Sequence, residues 1–229
     1  MRLDRTLAEL FHFVDKEVGL EHVLSVLSAD HGMADKPEYA TEQGREAGRI
    51  YSDEVLSLAR ELSEKSFGSQ ELVKDFYRPY IYLDTALVEQ KKLDARTVAK
   101  VIAEGVERMP GIARAVSQHE PQEFSGNTQS NAVLHNHHKQ RSGDIYVYQE
   151  PYWYLFDRGA IGVMHGSPWS YDSHVPMIFA GPGIQASQIT RLVHPVDVAP
   201  TLAGYLGISP PAGAEGDILP EALPAAVAD

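Results

Sequence analysis

Asp30 and His31 stand side by side at the end of an apolar run, His22-Val-Leu-Ser-Val-Leu27, and Gly32 follows them. A carboxylate and an imidazole at a strand tip make poor core and good ligands. Zinc accepts a carboxylate oxygen and an imidazole nitrogen at about 2.0–2.2 Å, usually in tetrahedral geometry. Consecutive residues in a tight turn can both face one ion, and Gly32 lets the backbone turn away. The competing use of such a pair is a hydrogen-bonded Asp-His couple or a helix cap.

A second His-Gly turn occurs in Met164-His-Gly-Ser-Pro-Trp-Ser-Tyr-Asp-Ser-His-Val-Pro-Met-Ile-Phe-Ala-Gly-Pro-Gly183, again close to an apolar strand. His165 can supply a further imidazole. His174 competes with it for that role; its alternative use is to orient Asp172 or a substrate oxygen. His12 and His22 lie in or beside regular elements, and His119, His135, His137 and His138 lie in a polar stretch, so all six are read as surface or structural. The tract His135-Asn-His-His138 has metal-binding residue types without a scaffold to orient them. With no cysteine in the chain, thiolate metal sites and disulfides are excluded.

The 229 residues carry 32 acidic and 20 basic side chains, a formal net charge of −12. That balance argues against non-specific binding to nucleic acid or to an anionic membrane surface. An anionic substrate would need metal or a local cluster of donors. No stretch approaches the roughly 18 apolar residues of a membrane-spanning helix, and no basic segment followed by an apolar signal core opens the sequence.

The elements that must position these residues read as follows. Leu3, Leu7, Leu10, Phe11, Val14 and Val18 recur at helical spacing, predicting an amphipathic helix over 3–18 that ends near Gly19. A strand over 22–28 then leads to Asp30. This helix, turn and strand succession is the α/β pattern, in which ligands bind beyond the carboxyl ends of strands. A helix is expected over 53–66 capped by Ser52 or Asp53, a strand over 78–84, and a helix over 95–108 capped by Asp94 and closed by Met109-Pro-Gly111. Strands are expected over 112–116, 144–148 and 175–180. Residues 117–142 read as a polar surface excursion, Asp197 as the cap of a helix with Pro200 in its first turn and Gly207 past its end, and the tail from Ser209 as loose. Tyr39, Tyr51, Trp153 and Trp169 are candidate walls for a nucleobase or aryl group, or else packing residues.

Taken in order, these motifs carry a resemblance. Leu-Ser-Ala-Asp30-His31-Gly-Met resembles the metal-binding strand end of the alkaline phosphatase superfamily, and His165-Gly-Ser-Pro-Trp-Ser-Tyr-Asp-Ser-His-Val-Pro resembles its later histidine segment. The version here is most similar to the phosphate-irrepressible bacterial alkaline phosphatases, relatives of type I phosphodiesterase/nucleotide pyrophosphatases. Val196-Asp-Val-Ala-Pro-Thr-Leu-Ala-Gly-Tyr-Leu-Gly207 is similar to the helix that closes that fold, and Arg2-Leu-Asp-Arg-Thr-Leu-Ala-Glu-Leu to the helix before the Asp-His strand. The resemblance runs from residue 2 to about residue 208.

It implies the C-terminal part of an alkaline-phosphatase-like three-layer α/β/α sandwich with an inserted α+β lobe. The expected division is 1–40 for the core helix, strand and Asp-His turn, 41–142 for the lobe and polar excursion, 143–208 for the return to the core sheet, and 209–229 for the tail. It further implies metal-dependent phosphate ester hydrolysis with two Zn2+ ions. Asp30 and His31 would bind the ion that holds the nucleophile, and His165 the other. The Thr or Ser nucleophile, an Asp and an Asp-x-x-x-His pair belong upstream in relatives and have no match here. The chain alone is therefore expected to be inactive, a fragment or a non-catalytic partner with partial zinc occupancy or none. A small phosphate ester substrate, a homo-oligomer or a missing N-terminal half as partner, and a periplasmic or secreted location complete the expectation.

Overall fold

The computed structural model describes residues 2–119 and 128–224. In chain order the elements are α1 (Arg2–Glu17), β1 (Ser25–Ser28), α2 (Pro37–Glu42), β2 (Arg49–Tyr51), α3 (Ser52–Phe67), β3 (Val73–Tyr77), β4 (Tyr80–Leu83), α4 (Thr85–Gln90), α5 (Ala95–Val106), β5 (Ile112–Ser117), α6 (Thr128–His135), β6 (Ile145–Gln149), β7 (Tyr154–Phe156), α7 (Ser170–Ser173), β8 (Met177–Ala180) and α8 (Val198–Leu206). They fall into two compact units, one formed by residues 1–30 with 175–229, the other by residues 31–174.

In the second unit β3, β4, β6 and β5 form an antiparallel sheet in that order. Successive strand residues point to opposite faces, and the alternation in Ile145-Tyr-Val-Tyr148 uses this directly. Ile145 and Val147 join Val55 and Ala59 of α3, Val98, Ile102 and Val106 of α5, and Ile81 in one buried cluster. Tyr146 and Tyr148 turn to the other face, with Tyr80, Val116 and Val133, where Trp169 packs on them. Helices on an antiparallel sheet make this unit α+β. β2 and β7 pair in parallel beside it, Arg49 against Tyr154 and Tyr51 against Phe156.

Local signals explain most boundaries. Asp94 caps α5, its carboxylate accepting the Thr97 N–H at 3.2 Å, and Asp84 caps α4 through Leu87 at 2.9 Å. α3 begins with the Glu54 carboxylate accepting the Tyr51 N–H at 3.0 Å, so Ser52 and Asp53 lie in its first turn and neither is its cap. The polar excursion contains α6, whose Ser130 and Val133 are buried; residues 120–127 of that stretch lie outside the described residues.

In the first unit β1 pairs antiparallel with β8, Ser25 against Ala180 and Ser28 against Met177. The strand expected over 22–28 begins only at Ser25, because Leu20–His22 form a 3-10 turn. α1 forms as expected and no residue of it is buried. Asp197 stands at the start of α8 without capping it. Its two oxygens instead accept the His194 and Asp217 N–H groups at 2.8 and 2.9 Å. The tail is not loose over its described part. The Leu219 N–H bonds the buried Thr201 hydroxyl at 2.9 Å, Arg191 pairs with Glu221 at 2.7 Å, and Leu219 and Ala222 are buried. Residues 225–229 of the expected tail lie outside the described residues. No helix among the described residues is long and apolar enough to cross a membrane.

Candidate metal centre

Asp30 is exposed and follows β1 by one residue; His31 comes directly after it and is half-buried. The His31 and His165 rings stack face to face, centroids 3.4 Å apart and planes within 5°. The two His-Gly turns, 134 positions apart by subtraction of their residue numbers, are thus brought together inside the second unit. His174 is exposed, and its N–H closes α7 on the Ser170 carbonyl at 2.8 Å. Asp172 is buried close to both turns. Its backbone carbonyl accepts the Gly32 N–H at 2.7 Å, and its Oδ2 accepts the Ser167 N–H at 2.8 Å and the Ser167 hydroxyl at 2.6 Å.

The local backbone explains the glycines. A Cβ on Gly32 would run into the carbonyl oxygen of Tyr171, so only glycine lets this turn lie against α7. Gly166 sits at φ 97°, where side chains are strained.

His31 Nδ1 lies 2.7 Å from the Gly32 carbonyl oxygen. That oxygen can only accept, so Nδ1 carries the proton and the neutral ring has its lone pair on Nε2. This is the form in which a histidine ligates metal, with its other nitrogen held by a backbone carbonyl. In donor chemistry Asp30, His31 and His165 therefore suit zinc. In number they fall short of a closed site, and no group of three His, Asp or Glu able to hold a metal is assembled among the described residues. The same applies to His135, His137 and His138.

Two residues that sequence reasoning missed hold the His165 turn. Arg78 donates from Nη1 to the His165 carbonyl at 3.0 Å and lies over the Phe156 ring at 4.9 Å. Burial pushes its guanidinium below the usual arginine range. Ser167 supplies both bonds to Asp172; its place in the His-Gly-Ser segment was the available signal. Of the candidate aromatic walls, Trp153 packs on the main core and Trp169 donates to the Gln149 carbonyl at 2.8 Å, edge-on to Tyr148. Tyr51 lies under the Arg158 guanidinium at 3.9 Å, and Tyr39 is exposed.

The type I phosphodiesterase / nucleotide pyrophosphatase family model matches residues 1–168. The chain belongs to this family. The chain is 31% identical to a protein named calcium-transporting ATPase from Myroides odoratus over 97% of this chain and 41% of that relative. It is 30% identical to alkaline phosphatase PafA of Elizabethkingia meningoseptica, again over 97% of this chain and 41% of the relative. The crystal structure of wild-type PafA superposes with a TM-score of 0.84 at 29% identity, covering 96% of this chain and 42% of PafA. The chain has part of the alkaline phosphatase fold, as expected, and spans about two fifths of the length of these relatives.

Proposed function

We propose that this chain carries part of the active site of a zinc-dependent phosphate ester hydrolase of the alkaline phosphatase/phosphodiesterase type. The observation that carries the reading is the approach of His31 and His165 to 3.4 Å, in a chain of phosphodiesterase lineage. Asp30 and His31 would hold one zinc ion and His165 a second. Bound zinc would supply Lewis acidity toward the attacking and leaving oxygens of an in-line phosphoryl displacement through a Thr or Ser nucleophile.

The protein's own contribution is orientation. The Gly32 carbonyl fixes the tautomer and plane of His31. Arg78 holds the His165 backbone, and Asp172 ties the residues after it to α7. The acidic net charge makes bound cations, more than the overall field, the source of attraction for a phosphate ester.

The reading assigns the nucleophile to no residue of this sequence, and the chain alone is expected to be inactive. A non-catalytic partner or binding module on the same scaffold is the second reading. Its support is that Asp30, His31 and His165 are fewer ligands than two closed zinc sites take. A second copy or another polypeptide completing the site, and a periplasmic or secreted location, belong to the same proposal.

The test is elemental zinc analysis of the purified chain beside hydrolysis of p-nitrophenyl phosphate and its bis-ester at alkaline pH. Substoichiometric zinc without turnover is expected. Two zinc ions per chain with turnover abolished by Asp30→Ala would overturn the inactivity and assign a complete site to this sequence.

A further inference from the structure

The chemistry of the centre needs two imidazoles from distant segments to keep one mutual geometry. Neither His-Gly turn belongs to a helix or strand, so something else must fix them. The short α7 does so through one residue. Asp172 takes the Gly32 N–H on its backbone carbonyl, and the Gly32 carbonyl in turn takes the Nδ1–H of His31. The Asp172 side chain reaches the other way, where Oδ2 takes both the N–H and the hydroxyl of Ser167, two residues past His165.

Burying a carboxylate is costly unless it is well bonded. Asp172 is 4% exposed, and its Oδ1 has no hydrogen-bond partner among the described residues. Arg78, which bonds the His165 carbonyl, is the nearby positive charge that offsets that cost.

We infer that Asp172 is a positioning residue that locks the two His-Gly turns to each other and so sets the His31–His165 stack. This inference rests on the reading of those histidines as the metal centre, but its test does not depend on turnover. Asparagine can keep the bonds to Ser167 through its amide oxygen, whereas alanine removes them and leaves the backbone bond to Gly32.

The experiment is NMR of the imidazole signals of the full chain without metal, assigned by His31→Gln and His165→Gln, with thermal unfolding in parallel. Stacked rings shift one another's protons upfield. Asp172→Ala should move both histidine signals toward unstacked positions, and Asp172→Asn should restore them. Ser167→Ala, which keeps one of the two bonds, should move the His165 signal part of the way. If Asp172→Ala does not fold, the Ser167→Ala and Asp172→Asn pair decides. Unshifted histidine signals in Ser167→Ala and in any folded Asp172→Ala would overturn the inference, even with lowered thermal stability. Zinc titration followed by the same signals should show affinity ~10–100-fold weaker in Asp172→Ala; equal affinity would count against it. Failure of the phosphatase reading would appear instead as zinc binding that never touches these signals.

Discussion

The two compact units bury their apolar residues very differently. In residues 31–174, α3 and α5 cover one face of a four-stranded sheet, and Ile81, Ile102, Ile145, Val98 and Val106 are completely buried. In residues 1–30 with 175–229, α1 buries nothing, and Leu3, Leu10, Phe11, Phe13 and Val18 are exposed, Leu3 at 70%. The few buried side chains of that unit, among them Thr201, Ala203 and Leu219, gather around α8. An amphipathic helix normally gains its stability from covering its apolar stripe. The contrast teaches that the larger buried apolar core lies within residues 31–174, while the apolar stripe of α1 is left uncovered among the described residues.

The largest expected effect sharpens that contrast. Ile81→Ala or Ile145→Ala should destabilise the chain by about 2–5 kcal/mol in urea unfolding, whereas Leu10→Ala should change it by less than ~0.5 kcal/mol. A Leu10→Ala cost equal to that of Ile81→Ala would break the comparison and mean that α1 is covered in solution. Next, Thr201→Ala should cost about 1–3 kcal/mol, because it leaves the Leu219 N–H without its acceptor. An unchanged unfolding midpoint would show that the tail contributes nothing to the first unit.

Smaller effects follow from charge. Burial in the aromatic cluster raises the Tyr146 hydroxyl above the ordinary tyrosine range near 10. The folded state therefore holds this proton more tightly than the unfolded chain. The associated stability is complete below about pH 10 and is lost as pH rises beyond it. Spectrophotometric titration should find a tyrosine transition above the ordinary range that Tyr146→Phe removes, and alkaline unfolding should begin above pH 10. A high-pH titration left unchanged by Tyr146→Phe would contradict the packing around Tyr146. Smallest is Glu38, whose carboxyl is held down to about 2, chiefly by its paired bonds to Arg49. A depressed carboxyl stabilises above its unfolded value near 4.5 and loses that contribution as pH falls toward 2. Glu38 is exposed, so Glu38→Gln should cost less than ~1 kcal/mol and less still in high salt.

Where local chemistry decides the structure, the sequence was a sufficient guide. The 3.6-residue spacing of α1, the Asp94 cap of α5 and the alternation of Ile145 to Tyr148 each specify their element. Where pairing decides it, the signal was weak. β3 slips register between Val73 and Asp75, so its burial does not alternate and no strand pattern shows in Val-Lys-Asp-Phe-Tyr. β2 and β7 are three residues each, too short for a period, and α6 buries only Ser130 and Val133. Asp197 looked like a cap because its type and place fit one; tertiary contact with Asp217 claims its carboxylate instead.

The site divides in the same way. Its ligand types and the glycine after each histidine were legible, because a strand tip and a tight turn constrain them locally. The stacking of His31 on His165, and the bond from Arg78 to a carbonyl 87 positions away, belong to the tertiary fold and leave no local trace.

The most direct test of the central claim is a zinc-binding isotherm of the whole chain, compared with His31→Ala, His165→Ala and His138→Ala. A metal centre built on the two His-Gly turns predicts that zinc binding weakens in the first two variants and is unchanged in the third. Binding lost in His138→Ala but retained in both others would place the metal on the surface tract and contradict the account.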